Sequence, residues 1–138
     1  MPLQPMPTFA ELEAKLKAET DRVQSERLRR KMRVRKLVGD GSTTRVPLWV
    51  WRAGDGFFVA HPCEAYSRLQ TELRARFPSH PIAVLNLVNG SIGYLPPREL
   101  YGQDLYQIWQ SPFDRGSLER LVAAASDAIS RMGGVSKS

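Results

Sequence analysis

Two apolar runs constrain this chain more than anything else in it: VPLWVW at 46–51 and IAVLNLV at 82–88 place apolar side chains on both faces of an extended backbone. Strands of that kind are stable only where both sides of their sheet are covered. A third run, Phe57–Ala60, is reached from the first through Ala53-Gly54-Asp55-Gly56, a string of turn formers that predicts a hairpin. Between the runs Ala65, Leu69, Leu73 and Phe77 fall four residues apart, which predicts a helix over Glu64–Arg76 that ends before Pro78. Leu118, Leu121, Val122, Ala125 and Ile129 share a face of a second helix over Ser117–Met132, with Ser117 as its cap and Gly133-Gly134 as its stop. Between Pro96-Pro97 and Trp109 only short helical or irregular structure is expected. Strand, helix and strand in that order predict an α/β fold with a small mixed sheet covered by helices, the three strands in one sheet.

A long charged helix is expected to precede the sheet. Thr8 caps it, Glu11 stands three residues on as in a capping box, and Phe9, Leu12, Leu16 and Val23 recur at helical spacing. The pattern predicts one helix from Thr8 into Arg27–Lys36, broken by Gly39-Asp40-Gly41-Ser42. The chain thus divides into a charged helix and linker over 1–45, an α/β region over 46–132 and a disordered tail over 133–138. With 138 residues, 42% of them hydrophobic, it suits a single domain or a piece of one. No apolar run approaches the roughly 18 residues of a membrane span. The start, MPLQPMPTF, lacks the basic and apolar regions of a signal peptide, so a soluble chain is expected, any export signal being absent or lost from the N-terminal side. The single Cys63 excludes an internal disulfide and leaves the compartment open.

The formal net charge is +6, with most of the excess in the first third. Seven of the ten residues from Arg27 to Lys36 are Lys or Arg, and none is acidic. Such a run can grip the phosphates of nucleic acid or an anionic lipid surface. It has no aromatic residue interleaved for stacking and no DNA-binding motif around it, so the expected reading is a solvated helix end whose cations suit the dipole.

Two segments carry residues suited to chemistry. In His61-Pro62-Cys63-Glu64 the predicted helix begins, so exposed amides favour the charged carboxylate that a divalent metal requires from Glu64. A first-turn acid that merely suits the dipole is the commoner case. His61 and Cys63 also have the residue types of a base and a nucleophile, or of two metal ligands, and a helix N-terminus would lower the thiol pKa. No second cysteine follows at metal-site spacing, and a lone cysteine is more often core packing. The second segment, NLVNGSIGYLPPRELYGQDLY at 86–106, sets Tyr94 on irregular backbone just beyond a buried strand. A phenol donates a hydrogen bond, or loses its proton beside a cation. Tyrosines such as Tyr94, Tyr101 and Tyr106 are more often rim residues with the hydroxyl in water.

The string from Val88 to Tyr101 (VNGSIGYLPPRELY), followed by Tyr106, resembles the Asn-x-x-x-Gly-Tyr-(Leu/Val)-(Pro/Thr)-Thr-x-Glu-x-Tyr segment of the neutral/alkaline ceramidases and their bacterial relatives. WVWRAGDGFFVAHPCEAYSRL, upstream of it, is similar to that family's two strands and Pro-Gly-Glu-Pro-Phe turn, and the resemblance covers about Val46 to Met132. In that family one zinc ion hydrolyses the amide of an N-acylsphingoid base, held by two histidines from the N-terminal half and by a Glu and a Tyr from the C-terminal half. The resemblance implies Glu64 and Tyr94 as metal ligands and Tyr106 as the residue that polarises the scissile carbonyl; it gives Asn89 a place in the motif without a role. Cys63 stands where the family has Gly, and neither His61 nor His80 lies in the family's histidine motifs. The expectation is the C-terminal part of a ceramidase-like amide hydrolase that is inactive and binds zinc weakly by itself. Its partner would be the missing N-terminal half or a second copy, covering an apolar face, and its substrate a lipid amide. A non-catalytic binding domain whose basic helix contacts nucleic acid or anionic lipid is the alternative.

Overall fold

The computed structural model describes residues 1–135. A hairpin joins β1 (Trp49–Ala53) to β2 (Gly56–Ala60), with Trp51 opposite Phe58 and Val50 opposite Val59. Gly54 takes the left-handed conformation its turn requires, at φ 58°. β2 then pairs in parallel with β4 (Ile82–Leu85), Phe57 against Ile82 and Val59 against Val84. The three strands form one sheet in the order β1-β2-β4, as the apolar runs predict, and the fold is α/β. The crossover from β2 to β4 carries β3 (Cys63–Ala65) and α3 (Arg68–Arg76). β3 pairs in parallel with β5 (Gly93–Leu95) in a separate two-stranded sheet.

Side chains alternate across a sheet, so Phe57, Val59, Ile82 and Val84 share its inner face. α3 packs there against β4, α5 (Ser117–Arg131) packs against β1, and the two helices pack against one another. Leu69 and Leu73 of α3 and Leu118, Leu121, Val122, Ala125 and Ile129 of α5 are all buried, so the helical periodicity marks the core correctly. Each fully buried side chain of this size contributes about 1.5–3 kcal/mol. Arg52 ties the layers together, its Nη1 donating to the Met132 carbonyl at the end of α5 at 2.8 Å. On the outer face Trp51 and Phe58 remain 47% and 42% exposed, and Leu85 beside them is exposed as well.

The N-terminal helix is two helices, α1 (Phe9–Ala18) and α2 (Arg22–Val38), packed on one another. The capping box forms: the Thr8 amide donates to Glu11 Oε2 at 2.7 Å, and the Glu11 amide donates to Thr8 Oγ1 at 3.3 Å. The expected continuous helix breaks because Glu19 Oε1 accepts the amides of Thr20 and Asp21, and Asp21 Oδ1 accepts that of Gln24. Side chains that capture backbone amides compete with helix continuation, and Asp21 starts a new helix. The Met1–Met6 segment crosses the molecule, Leu3 bridging to Phe113 and Pro2 to Thr43. Leu3 and Val38 belong to the same buried cluster as Phe57 and Leu121.

Further boundaries move. The helix over Glu64–Arg76 begins only at Arg68, because the backbone of Cys63–Ala65 pairs with β5 instead. Gly116, at φ 88°, takes the N-cap position of α5, and Ser117 lies inside the helix with its hydroxyl donating to the Pro2 carbonyl. The run IAVLNLV leaves the sheet after Leu85, since Leu87 and Asn89 have φ of 61° and 56°. In the other run, VPLWVW, Pro47 has no amide to donate, and β1 begins at Trp49. α5 ends at Arg131, and of the expected tail, residues 136–138 lie outside the described residues.

Candidate metal and hydrolase site

Glu64 is a strand residue, not a helix-start residue, and the dipole reading of its carboxylate falls with the helix. Its position is set by the register of β3 and β5, in which Glu64 stands opposite Tyr94. Alternation sends Cys63 into the core and turns Glu64 the other way, half-buried. The Tyr94 phenol is held above the usual tyrosine range, first by the negative charge of Glu64, then by desolvation and by the neighbouring Tyr106. Tyr106, the first residue of the short helix α4 (Tyr106–Trp109), sets its ring edge-on to Tyr94 at 6.1 Å between centroids and 73° between planes. The three residues singled out in the sequence, Glu64, Tyr94 and Tyr106, therefore stand together.

Tethers around them are short. Ser111 Oγ donates to the Tyr94 carbonyl at 2.9 Å, and Asn86 Nδ2 donates to the Ala65 carbonyl at 2.9 Å. Gly93, at φ 129°, allows the approach of β5 to the segment after α4: a Cβ there would lie 2.9 Å from Pro112 Cδ and 3.1 Å from the Gln110 carbonyl oxygen. Asn89 occupies an exposed left-handed turn position. Tyr101 is outside the group, its hydroxyl donating to the Phe113 carbonyl at 2.9 Å. Tyr66 is the neighbour missed in the sequence: it follows β3 directly, its amide donating to the Leu95 carbonyl, and it stands close enough to Tyr94 to raise its pKa. Its position two residues after Glu64 was the available signal.

His61 and Cys63 are not a nucleophile and base. Both are fully buried, and the Cys63 amide donates to His61 Nδ1 at 3.2 Å, which leaves the proton of the neutral ring on Nε2. Burial lowers the His61 pKa to about 4 and raises the Cys63 pKa to about 12, so imidazole and thiol are both neutral. The expected lowering of the thiol pKa fails because no helix starts at Cys63. His80 lies elsewhere, its Nδ1 donating to the Asp55 carbonyl and its Nε2 accepting the Val135 amide.

A zinc ion takes three or four protein ligands. Glu64 offers a carboxylate and Tyr94 a phenol whose proton a cation would help to release. Among the described residues no three His, Cys, Asp or Glu side chains stand close enough together to hold a metal. Glu64 and Tyr94 together offer two donors, fewer than either number.

The basic run lies on α2 and divides in two. Arg35 is buried, its guanidinium donating to the carbonyls of Met6, Pro7 and Gly39 and lying 3.6 Å from Asp40, so this cation of the expected solvated end belongs to the packing. Arg27, Arg29, Lys31, Arg33 and Lys36 remain exposed. No described helix is long and apolar enough to cross a membrane. Comparison with protein-family models, with curated proteins and with solved structures finds no match for this chain.

Proposed function

We propose that this chain is the C-terminal segment of a ceramidase-like, zinc-dependent amide hydrolase. The observation that carries the reading is the pairing of Glu64 with Tyr94 across β3 and β5, with Tyr106 edge-on to Tyr94. Residues drawn from motifs far apart in sequence meet in one place with the donor types such a site needs. When bound, zinc polarises an amide carbonyl and acidifies a water. Glu64 would supply one oxygen ligand and Tyr94 a second, and the exposed Tyr106 would donate its hydroxyl to the developing oxyanion. The remaining ligands would come from a companion polypeptide bearing two histidines. The exposed apolar face at Trp51, Phe58 and Leu85 is consistent with such a companion, or with a second copy of the chain.

Zinc calorimetry on the 138-residue chain, alone and with a two-histidine companion, tests the reading together with hydrolysis of an N-acylsphingosine. The chain alone should bind zinc weakly and turn nothing over. The complemented protein should hydrolyse the amide and lose at least a hundredfold in rate on Glu64→Gln or Tyr94→Phe. Submicromolar zinc binding by the chain alone, or complemented turnover indifferent to both substitutions, would sink it.

A further inference from the structure

Across from the exposed cations of α2 runs a groove of about 680 Å³, bounded by the Gln4–Pro7 segment on one side and by Tyr106–Pro112 on the other. Clefts that hold small ligands span roughly 300–1,000 Å³. Its floor is apolar, made by Met6, Leu28, Val34 and Ile108, all at least partly buried. Its rim is cationic: Arg27, Arg30 and Lys31 line it and no carboxylate does. Arg30 is paired with Glu26, whereas Arg27 and Lys31 make no ion pair among the described residues. Trp109, 64% exposed, and Tyr106, 52% exposed, line it as well. The aromatic residues absent from the basic run in sequence thus line the same groove as its cations.

We propose that this groove binds a single-chain anionic amphiphile, with its oxyanion head at Arg27 and Lys31 and its chain along the Met6–Leu28–Val34–Ile108 floor. A guanidinium and an ammonium one helical turn apart match a carboxylate or phosphate head. The floor discriminates among anions. A polynucleotide would gain stacking on Trp109 and the amides of Gln24 and Gln110, but would lay polar bases over Met6, Leu28, Val34 and Ile108, which offer them no hydrogen bond, whereas an alkyl chain gains from each methylene buried there. Arg27 and Lys31 have no other side-chain partner among the described residues, and the exposed Trp109 gains an apolar neighbour. Tyr106 borders both this groove and the proposed hydrolase site, but occupancy of the groove needs no metal at Glu64 and Tyr94, so a titration of the metal-free chain decides this inference apart from the hydrolase reading.

The test is calorimetric titration of the metal-free 138-residue chain with oleate and with oleoyl lysophosphatidate, both below their micellar concentrations, and with zwitterionic oleoyl lysophosphatidylcholine. Binding of either anion should be at least tenfold tighter than that of the zwitterion, should weaken at least tenfold from oleate to octanoate, and should fall at least tenfold in Arg27→Gln/Lys31→Gln. The two anions separate a carboxylate-headed from a phosphate-headed ligand. Equal affinity for the zwitterion, or indifference to chain length, overturns the proposal on the unaltered protein, whatever the variant does. An oligothymidylate that binds more tightly than oleate and displaces it reassigns the groove to nucleic acid. Binding to phosphatidylserine vesicles without affinity for the monomeric anions makes it a membrane surface instead, and also overturns the proposal.

Discussion

Glu64 and Tyr94 stand opposite one another on β3 and β5, and the charge of the carboxylate is the foremost reason the phenol holds its proton above the usual range. Replacing Glu64 by Gln removes that charge and should lower the Tyr94 titration midpoint toward an ordinary tyrosine. The Tyr94 ring carbon resonance, assigned with Tyr94→Phe, reports it. An unchanged midpoint would mean that the carboxylate is not beside the phenol.

Arg35→Met should destabilise the fold by about 2–4 kcal/mol, because the carbonyls of Met6, Pro7 and Gly39 lose the donor they share. Arg35→Lys keeps the charge without the planar fork and should recover only part of the loss. Urea unfolding measures both, and a loss below about 0.5 kcal/mol for Arg35→Met, the range of ordinary surface changes, would show that the contacts are dispensable.

Stability should fall on both sides of neutrality, for reasons that lie two residues apart. His61 titrates near 6.5 unfolded and about 4 folded, so acidification through that window protonates the unfolded chain first. The loss amounts to about 3 kcal/mol and is complete near pH 4. Cys63 titrates near 9 unfolded and about 12 folded, so stability also falls as pH rises above 9. Unfolding curves at several pH values should lose the acid limb in His61→Gln and the alkaline limb in Cys63→Ala. An acid limb of full size in His61→Gln would exclude His61 as its cause.

Gly93→Ala should cost about 1–3 kcal/mol, since φ of 129° suits glycine and the new methyl meets Pro112 at 2.9 Å. The strain also pushes β5 away from the segment after α4, so the Tyr94 to Tyr106 ring contact should weaken; cross-relaxation between the two rings would show it. A variant as stable as the parent would mean that this approach relaxes freely.

Legibility in the sequence followed the range of the forces involved. Leu69, Leu73, Leu121 and Val122 were readable because helical periodicity is local and their burial follows from it. The break at Glu19–Asp21 was hidden, since Phe9, Leu12, Leu16 and Val23 keep their spacing across it and only side-chain capture of amides interrupts the helix. β3 was unreadable for the opposite reason: three residues give no period, and their partners lie beyond α3 and β4. Arg35 looked like its neighbours in the basic run until the carbonyls of Met6 and Pro7 came within reach. Glu64, Tyr94 and Tyr106 were named from motifs whose resemblance implies that they meet, while the β3–β5 register that brings Glu64 and Tyr94 together is encoded by no local pattern.

The parallel pairing of β3 with β5 has a consequence for how the molecule assembles. The β1–β2 hairpin closes over a short turn, whereas β3 and β5 are joined through α3 and β4, so their parallel pairing closes a much longer loop and is the slower contact to form. A collapsed chain with helices in place and its strands wrongly threaded would pass a circular-dichroism measurement and still hold Glu64 and Tyr94 apart. The elevated Tyr94 titration thus doubles as a certificate of correct threading, visible only when every crossover has been completed.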